Sequence, residues 1–378
     1  MILIRLLIYG KLMNTRFNKI YKILESNNLD AVALIPGSNF KYLTGGSFPL
    51  MERPTVLIIT KDKNVAILPS LEVDSFNLLK LNANVISWHD KEGFNQAFKE
   101  ASKILGNIKN IGVEGQIIRF FETQAFKENF KEIEIINSHK EISSIRINKE
   151  ENEINFLIEA IKISEKSLEN TLNYIKIGMQ ELQIKQFLIQ ELYKNGAEGL
   201  SFDPIVLTGK NSAIPHGHSS NQNTIKHGDA LLFDFGAAVK GYKADITRTF
   251  FMIETDEYQR KAYETVRQAN EMGIQKSKIP NTMHDVDNET TLILENSDYK
   301  KFIVHKTGHG LGLDVHEDPY IVRGNKASLE EGMVITVEPG LYIPEKFGIR
   351  IEDDVLITNN QPIVLTSFSK ELRIIDNE

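Results

Sequence analysis

Four carboxylates stand where a folded chain has little reason to put them. Asp234 and Asp245 lie in the two arms of LLFDFGAAVKGYKADITRTF, residues 231–250. Glu338 and Glu352 lie in the two arms of GMVITVEPGLYIPEKFGIRIEDDVLIT, residues 332–358. All four sit in or at the end of apolar runs that read as buried strands. A carboxylate stripped of water and left without a partner is expensive, so each needs a proton, a countercharge or a cation.

Lys240-Gly241 reads as a two-residue hairpin loop. That register sets Asp234 opposite Thr247 and Asp245 opposite Gly236. Side chains alternate along each arm, so Asp234 and Asp245 point to one face. They are diagonal neighbours, roughly 7–8 Å apart at Cα, within reach of one shared partner. In the second stretch Glu338 ends an apolar strand before Pro-Gly, and Glu352 sits in the next strand. DFG at 234–236 and EPG at 338–340 both place an acid just before a glycine. Two such hairpins predict an internally pseudo-symmetric domain.

Between the hairpins lies VHKTGHGLGLDVHEDP. Gly308, Gly310 and Gly312 argue against a helix, so His305 and His309 are not a helical i, i+4 pair. A phosphate loop is excluded: no Lys-Ser/Thr follows GHGLG, and the chain runs into Pro319 rather than a helix. The glycines instead let the backbone bring His309 close to something. Four carboxylates and one imidazole suit a pair of divalent ions of the Mn, Co or Fe type, or Zn. Two such ions balance four carboxylates, and a bridging water would be held as hydroxide.

These groups need a scaffold. The chain has 378 residues, more than one ordinary core accommodates, so two domains are expected. With 41% hydrophobic and 25% charged residues, it has the profile of a soluble globular protein. The net charge is −7 with both signs interspersed and no basic block, which argues against nucleic acid as a partner. Cys is absent, which excludes disulfides, cysteine nucleophiles and thiolate metal sites. The opening MILIRLLIYGKLM is interrupted by Arg5 and Lys11, is too short to span a membrane and lacks a small-residue cleavage site. Met13 reads as the natural start, with MNTRFNKIYKIL opening a helix. The protein reads as cytoplasmic, with no membrane partner.

From about Asn14 to Asn137 helical and strand patterns alternate: RFNKIYKILESNN, DAVALIPG, a hairpin of TVLIIT and NVAILP, then NVISW, NIGVEG and EIEIIN. This is one α/β domain, assigned to 1–145. A boundary is expected near 140–150, and 146–378 form an α+β domain. That domain opens with helices, turns to strands, returns to helices at DEYQRKAYETVRQANEMGIQKS and around 282–296, and ends in strands and loops.

SAIPHG, DFGAAVKGYKADITRTF, HKTGHGLGLDVHEDP, MVITVEPGLYIP and GIRIEDD resemble the signature blocks of the Xaa-Pro peptidases. These are the proline-specific aminopeptidases and dipeptidases (prolidases) of the pita-bread dinuclear metallopeptidase group. The match covers most of 150–370 in order, with every metal position filled. The first domain is similar to that family's N-terminal, creatinase-like α/β domain in size and texture. The resemblance implies that Asp234 holds one metal, that Asp245 and Glu352 bridge both, and that His309 and Glu338 complete the second. Glu338 would also shuttle a proton from the bridging water to the leaving nitrogen. His216 and His316 would flank the substrate, and Arg350, on the same strand face as Glu352, would pair with the carboxylates or with a substrate carboxylate. The implied substrate is a small peptide with proline second. The implied cofactors are two divalent ions, Mn or Co ahead of Zn or Fe, and the implied assembly is a homodimer.

Methionine aminopeptidases share the ligand set but generally lack the extra domain. Creatinase-type hydrolases share both domains but lose the ligands. A catalytically silent, binding-only member of the fold, or a hydrolase of a different small amide, is the remaining alternative. Dipeptidase and aminopeptidase activity are not separated by the sequence. His305 reads as packed behind the ligands, His218 as an exposed loop residue, and His89, His139, His227 and His284 as surface residues. Asp353 should point away from the site, and Asp354 should share the face of Glu352 farther along. Tyr242 and Phe202 either line a pocket or pack the core, with packing expected of Phe202.

Overall fold

The computed structural model describes residues 15–377. Met13 and the apolar opening lie outside the described residues. The chain divides into two compact units, one ending at Arg146 and the other beginning at Ile147.

In the first unit a helix over 15–26 buries Phe17, Ile20, Ile23 and Leu24, which recur at helical spacing. Six strands follow: β1 (Ala31–Leu34), β2 (Val56–Ile59), β3 (Asn64–Pro69), β4 (Asn84–Trp88), β5 (Asn110–Val113) and β6 (Glu134–Asn137). They form one sheet of order β4-β3-β2-β1-β5-β6. β2 and β3 make the expected hairpin, with Val56 opposite Ile67. β1 pairs antiparallel with β2 and parallel with β5. The central strands AVAL and VLII are unbroken apolar runs because every residue in them is buried.

The second unit carries the acids. Helices Glu151–Leu172 and Glu181–Lys194 lead into β7 (Gly199–Leu200), β8 (Ile205–Thr208), β9 (Ala230–Phe235), β10 (Ala237–Val239), β11 (Tyr242–Lys243) and β12 (Ile246–Met252). Helices Glu257–Lys276 and Met283–Glu295 follow. They start where Asp256 and Thr282 accept the backbone N–H three residues on, so the turns between elements are set locally. Then come β13 (Gly308–Gly310), β14 (Glu317–Ile321), β15 (Val334–Val337), β16 (Gly340–Ile343), β17 (Phe347–Arg350), β18 (Asp353–Leu356), β19 (Ile363–Val364) and β20 (Ile374–Ile375).

Lys240 and Gly241 both have positive φ, 52° and 87°, as a type I′ turn requires. Asp234 accordingly faces Thr247, and Val239 faces Tyr242. The hairpin is nevertheless not one ladder. β9 and β12 belong to a sheet of order β20-β12-β9-β8, while β10 and β11 belong to β11-β10-β7. The change falls at Gly236, where a Cβ would lie 1.8 Å from the Ala244 carbonyl oxygen, so the arms cross only because the residue is glycine.

The second hairpin repeats the scheme. β15 and β18 lie in the sheet β14-β13-β15-β18-β19, β16 and β17 pair separately, and the split falls at Glu338-Pro339. A helix pair followed by a split hairpin with an acid at the split thus occurs twice. This is the pseudo-twofold repeat expected of the α+β domain. β13 threads between β14 and β15. A Cβ on Gly308 would meet the Thr336 oxygen at 2.0 Å, and one on Gly310 the Asp318 oxygen at 2.4 Å. The glycines leave His309 as the one side chain this strand presents.

Candidate metal centre

The second hairpin sets Glu338 opposite Glu352, between the Val337–Asp353 and Gly340–Arg350 pairs. Their N–H groups turn outward: Glu338 donates to the Thr307 carbonyl (2.8 Å) and Glu352 to the Thr247 carbonyl (3.1 Å). A facing pair that exchanges no N–H bonds has the shortest cross-strand spacing, which brings the two carboxylates together. Thr247, opposite Asp234 on the first hairpin, donates its hydroxyl to Glu352 Oε2 at 2.7 Å.

His309 is buried, and its Nδ1 lies 3.1 Å from the Gly310 carbonyl oxygen. That contact makes Nδ1 the protonated nitrogen and leaves the Nε2 lone pair facing the acids. Nε2 is 3.3 Å from Glu338 Oε1 and 3.8 Å from Asp245 Oδ2. Burial lowers the imidazole to about 3, so it is neutral.

Among the described residues, the buried acids outnumber the one buried cation paired with them, Arg350. Burial pushes Asp245 and Glu352 well above the usual carboxylate range, and neighbouring acids push them the same way. Burial likewise raises Glu338 to about 8. Arg350 pairs with Asp234 Oδ2, but among the described residues Asp234 Oδ1 is buried with no hydrogen-bond partner. Atoms of Asp234, Asp245 and Glu352 lie within 4.8 Å of one another, as do those of His309, Glu338 and Glu352. Glu352 belongs to both groups. A third group of the same kind joins Asp245, His309 and His316. An orphaned carboxylate oxygen, an imidazole lone pair and acids held above their ordinary range fit divalent cations.

The comparisons with known proteins agree. Residues 155–359 match the model of metallopeptidase family M24, and residues 16–148 match the creatinase/prolidase N-terminal domain. A Xaa-Pro dipeptidase of Pyrococcus horikoshii is 34% identical over 96% of this chain and 99% of its own length. This chain belongs to the M24 metallopeptidases. Among solved structures, a Xaa-Pro dipeptidase from Bacillus anthracis has a TM-score of 0.89 at 30% identity, covering 96% of this chain and 99% of that one. An X-Pro aminopeptidase from Thermotoga maritima has a TM-score of 0.82 at 30% identity, covering 95% and 100%. The architecture is therefore the creatinase-like α/β domain followed by the pita-bread α+β domain, and membership implies divalent metal ions.

A cavity of about 560 Å³ opens over the M24 centre. It is lined by all five acid and imidazole groups and by His216, His316 and Arg350. His216 and His316 are solvent-exposed, and the His316 ring lies 3.9 Å from that of His309. Arg350 is buried. It donates from Nε to Thr247 Oγ1 (3.0 Å) and from its other nitrogens to Asp234 and the Tyr342 hydroxyl. The Tyr342 hydroxyl also meets His305 Nε2 at 2.9 Å. His305 is half-buried and lines the cavity itself rather than packing behind the ligands, and among the described residues it joins no group of three candidate ligands.

Phe202 does not pack in the core. β7 ends at Leu200, and Phe202 is half-buried against the cavity. His139 and His284 are half-buried rather than on the surface, and His284 Nδ1 accepts the Gly324 N–H at 2.9 Å. His89, His218 and His227 are exposed. Tyr242 is buried, stacks on Phe156 and donates to Glu153 at 2.7 Å. Asp353 turns away to Arg248 and Lys370. Asp354 lies nearer the centre than strand spacing suggested, accepting the Asp245 N–H at 3.2 Å. Sequence reasoning missed Thr247, Tyr342, Lys243 and Lys306. For Thr247 the signal was present, because the hairpin register already set it beside Asp234. The two lysines become cavity-lining only when strand β11, which holds Lys243, meets the segment that holds Lys306.

Proposed function

We propose that this chain is a metal-dependent peptidase that hydrolyses the bond between an N-terminal residue and proline. The observation that carries the reading is the convergence of Asp234, Asp245, His309, Glu338 and Glu352 on one cavity, with Glu352 common to two ligand groups. Asp234, Asp245 and Glu352 would hold one divalent ion, and His309, Glu338, Glu352 and Asp245 a second. When bound, the ions supply a Lewis acid for the scissile carbonyl and a water nucleophile near neutral pH.

The remaining work belongs to side chains. The Xaa-Pro amide has no N–H, so recognition rests on its carbonyl and its two ends. The substrate amine sits toward Asp234, which limits cutting to one residue from the N-terminus. His216 and His316, exposed in the cavity, flank the carbonyl and steady its oxygen as charge develops. Glu338 takes the proton of the attacking water and delivers it to the proline nitrogen, which must be protonated to leave. Arg350 holds Asp234 in place. The oxygen-rich ligand set suits Mn or Co. Residues 146–378 carry this chemistry, and the chain works as a cytoplasmic homodimer.

Lys243 and Lys306 line the same cavity, and an ammonium set against a free proline carboxylate would favour a dipeptide. The reading is therefore dipeptidase rather than aminopeptidase. The likeness to an X-Pro aminopeptidase keeps the second activity as the rival. A paired assay separates them: a Xaa-Pro dipeptide beside a Xaa-Pro-Xaa tripeptide, on chelated protein with and without Mn²⁺ or Co²⁺. The dipeptide is expected to be cut only with metal and faster than the tripeptide. Lys306→Met is expected to raise KM for the dipeptide by about tenfold and leave Xaa-Pro-amide unaffected. Equal cutting of the tripeptide would make the protein an aminopeptidase. Cutting of neither, with metal bound, would end the proline reading.

A further inference from the structure

Glu338 and Glu352 face each other where their hairpin changes sheets, a place where the backbone is short of donors. The Ile351 N–H donates to the Pro339 carbonyl at 3.4 Å. An antiparallel pair would return an N–H from residue 339 to the Ile351 carbonyl, but proline has none. The Glu338 and Glu352 N–H groups are committed outward to Thr307 and Thr247. The gap is met from the helix Glu257–Lys276. Asn270, fully buried, aims its amide between the two strands. Its Nδ2 lies 2.9 Å from the Val337 carbonyl oxygen and 3.5 Å from that of Ile351, the residues just before Glu338 and Glu352. One amide NH₂ carries two donors, so it serves both carbonyls.

The amide is itself held in orientation. Lys370 donates to Asn270 Oδ1 at 2.6 Å and to Asp353 Oδ2 at 2.8 Å. An ammonium on Oδ1 leaves only Nδ2 to face the carbonyls. One turn on, Gly273 allows the helix close: a Cβ there would lie 2.7 Å from Val337 Cγ1. From the other side Arg248 donates to the Glu352 carbonyl (2.5 Å) and to Asp353 (2.7 Å).

We propose that Asn270 is a positioning residue that replaces the missing Pro339 donor and fixes the backbone from which Glu338 and Glu352 project, with Lys370 setting its orientation. The inference rests on the reading of those two acids as metal ligands. Asn270→Leu removes both donors at similar size. Asn270→Asp removes them while keeping the acceptor for Lys370, and carries the test if the leucine variant does not fold. Pro339→Ala returns an N–H opposite Ile351. The readout is Co²⁺ titration of the chelated full chain by visible absorption, beside kcat and KM on a Xaa-Pro dipeptide and the melting temperature of the metal-free protein.

Asn270→Leu is expected to weaken uptake of at least one Co²⁺ about tenfold or more and to lower kcat with KM little changed. Adding Pro339→Ala is expected to recover part of both. Parent-like Co²⁺ binding in the single variants would overturn the proposal. So would a double variant no better than Asn270→Leu, with the single variant merely melting lower. If the parent binds Co²⁺ but cuts no Xaa-Pro peptide, the proposed activity falls while the Co²⁺ comparison still decides Asn270. If the parent binds no Co²⁺, both fall.

Discussion

The two hairpins of the C-terminal unit share a backbone plan and differ in what they hang on it. Asp234 faces Thr247, whereas Glu338, at the same place in the second hairpin, faces Glu352. Two register steps toward the turn, Asp245 stands opposite Gly236, whereas Arg350 stands opposite Gly340. Each hairpin thus has acids at two of these positions and a non-acid at a third. The non-acids cross over. Arg350 of the second hairpin pairs with Asp234 of the first, and Thr247 of the first bonds Glu352 of the second. Arg350 Nε and Thr247 Oγ1 then close the loop at 3.0 Å. A duplicated scaffold with identical decoration would present like charges to one another. Divergence at one position per hairpin converts that repulsion into a cross-braced site.

Replacing the acid common to both ligand groups tests the comparison hardest. Glu352→Gln keeps shape and the Thr247 contact but removes the charge that both groups use. Losing several kcal/mol of transition-state stabilisation corresponds to a fall in kcat/KM of about a thousandfold or more. Metal analysis of the purified variant should show depleted binding at both sites. Loss of a single ion with most activity retained would mean that the hairpins supply independent centres.

Much of this arrangement is legible in the sequence because it is local. The Lys240-Gly241 turn fixes the register of its hairpin, and alternation then assigns Asp234, Asp245 and Thr247 to their places. The glycines around His309 exclude a helix and announce a backbone that passes close to something, though not that it is a strand. The split of the second ladder between two sheets is not legible, because it depends on which distant residues, here Thr307 and Thr247, take the outward N–H groups of Glu338 and Glu352. The bracing by Tyr342 and Arg350 is equally non-local, since Arg350 finds Asp234 only after the two halves of the domain meet. Phe202 shows the opposite failure. An aromatic residue beside a strand is normally core, but here the strand ends two residues earlier and the ring faces the cavity.

The charge deficit predicts a pH dependence that metal should reverse. Burial raises Glu338 from an ordinary 4.5 to about 8, and raises Asp245 and Glu352 as well. Between these limits the folded, metal-free protein binds more protons than the unfolded chain, so its stability falls as pH rises. Melting of chelated protein should therefore drop progressively from about pH 5 to pH 8. Added Mn²⁺ should restore it, with the largest gain at the alkaline end, where the acids are ionised. A chelated protein as stable at pH 8 as at pH 5 would mean that the acids are satisfied without cations, and the contrast between a charge-deficient centre and a cross-braced one would fail.

The smallest effect separates bracing from mere proximity. Thr247→Val removes the hydroxyl that donates to Glu352 and accepts from Arg350 without changing size. An outer hydrogen bond of this kind is worth about tenfold in metal affinity or activity. Arg350→Met should cost more, because it also strips the countercharge from Asp234. If the two residues form one brace, removing either breaks it, and the double variant should be little worse than Arg350→Met alone. The coupling would then be on the order of 1 kcal/mol, measurable from kcat/KM in a double-mutant cycle. Strictly additive losses would mean that Thr247 and Arg350 serve their own acids separately. The two hairpins would then be neighbours that share Glu352 as a ligand without positioning one another's charges.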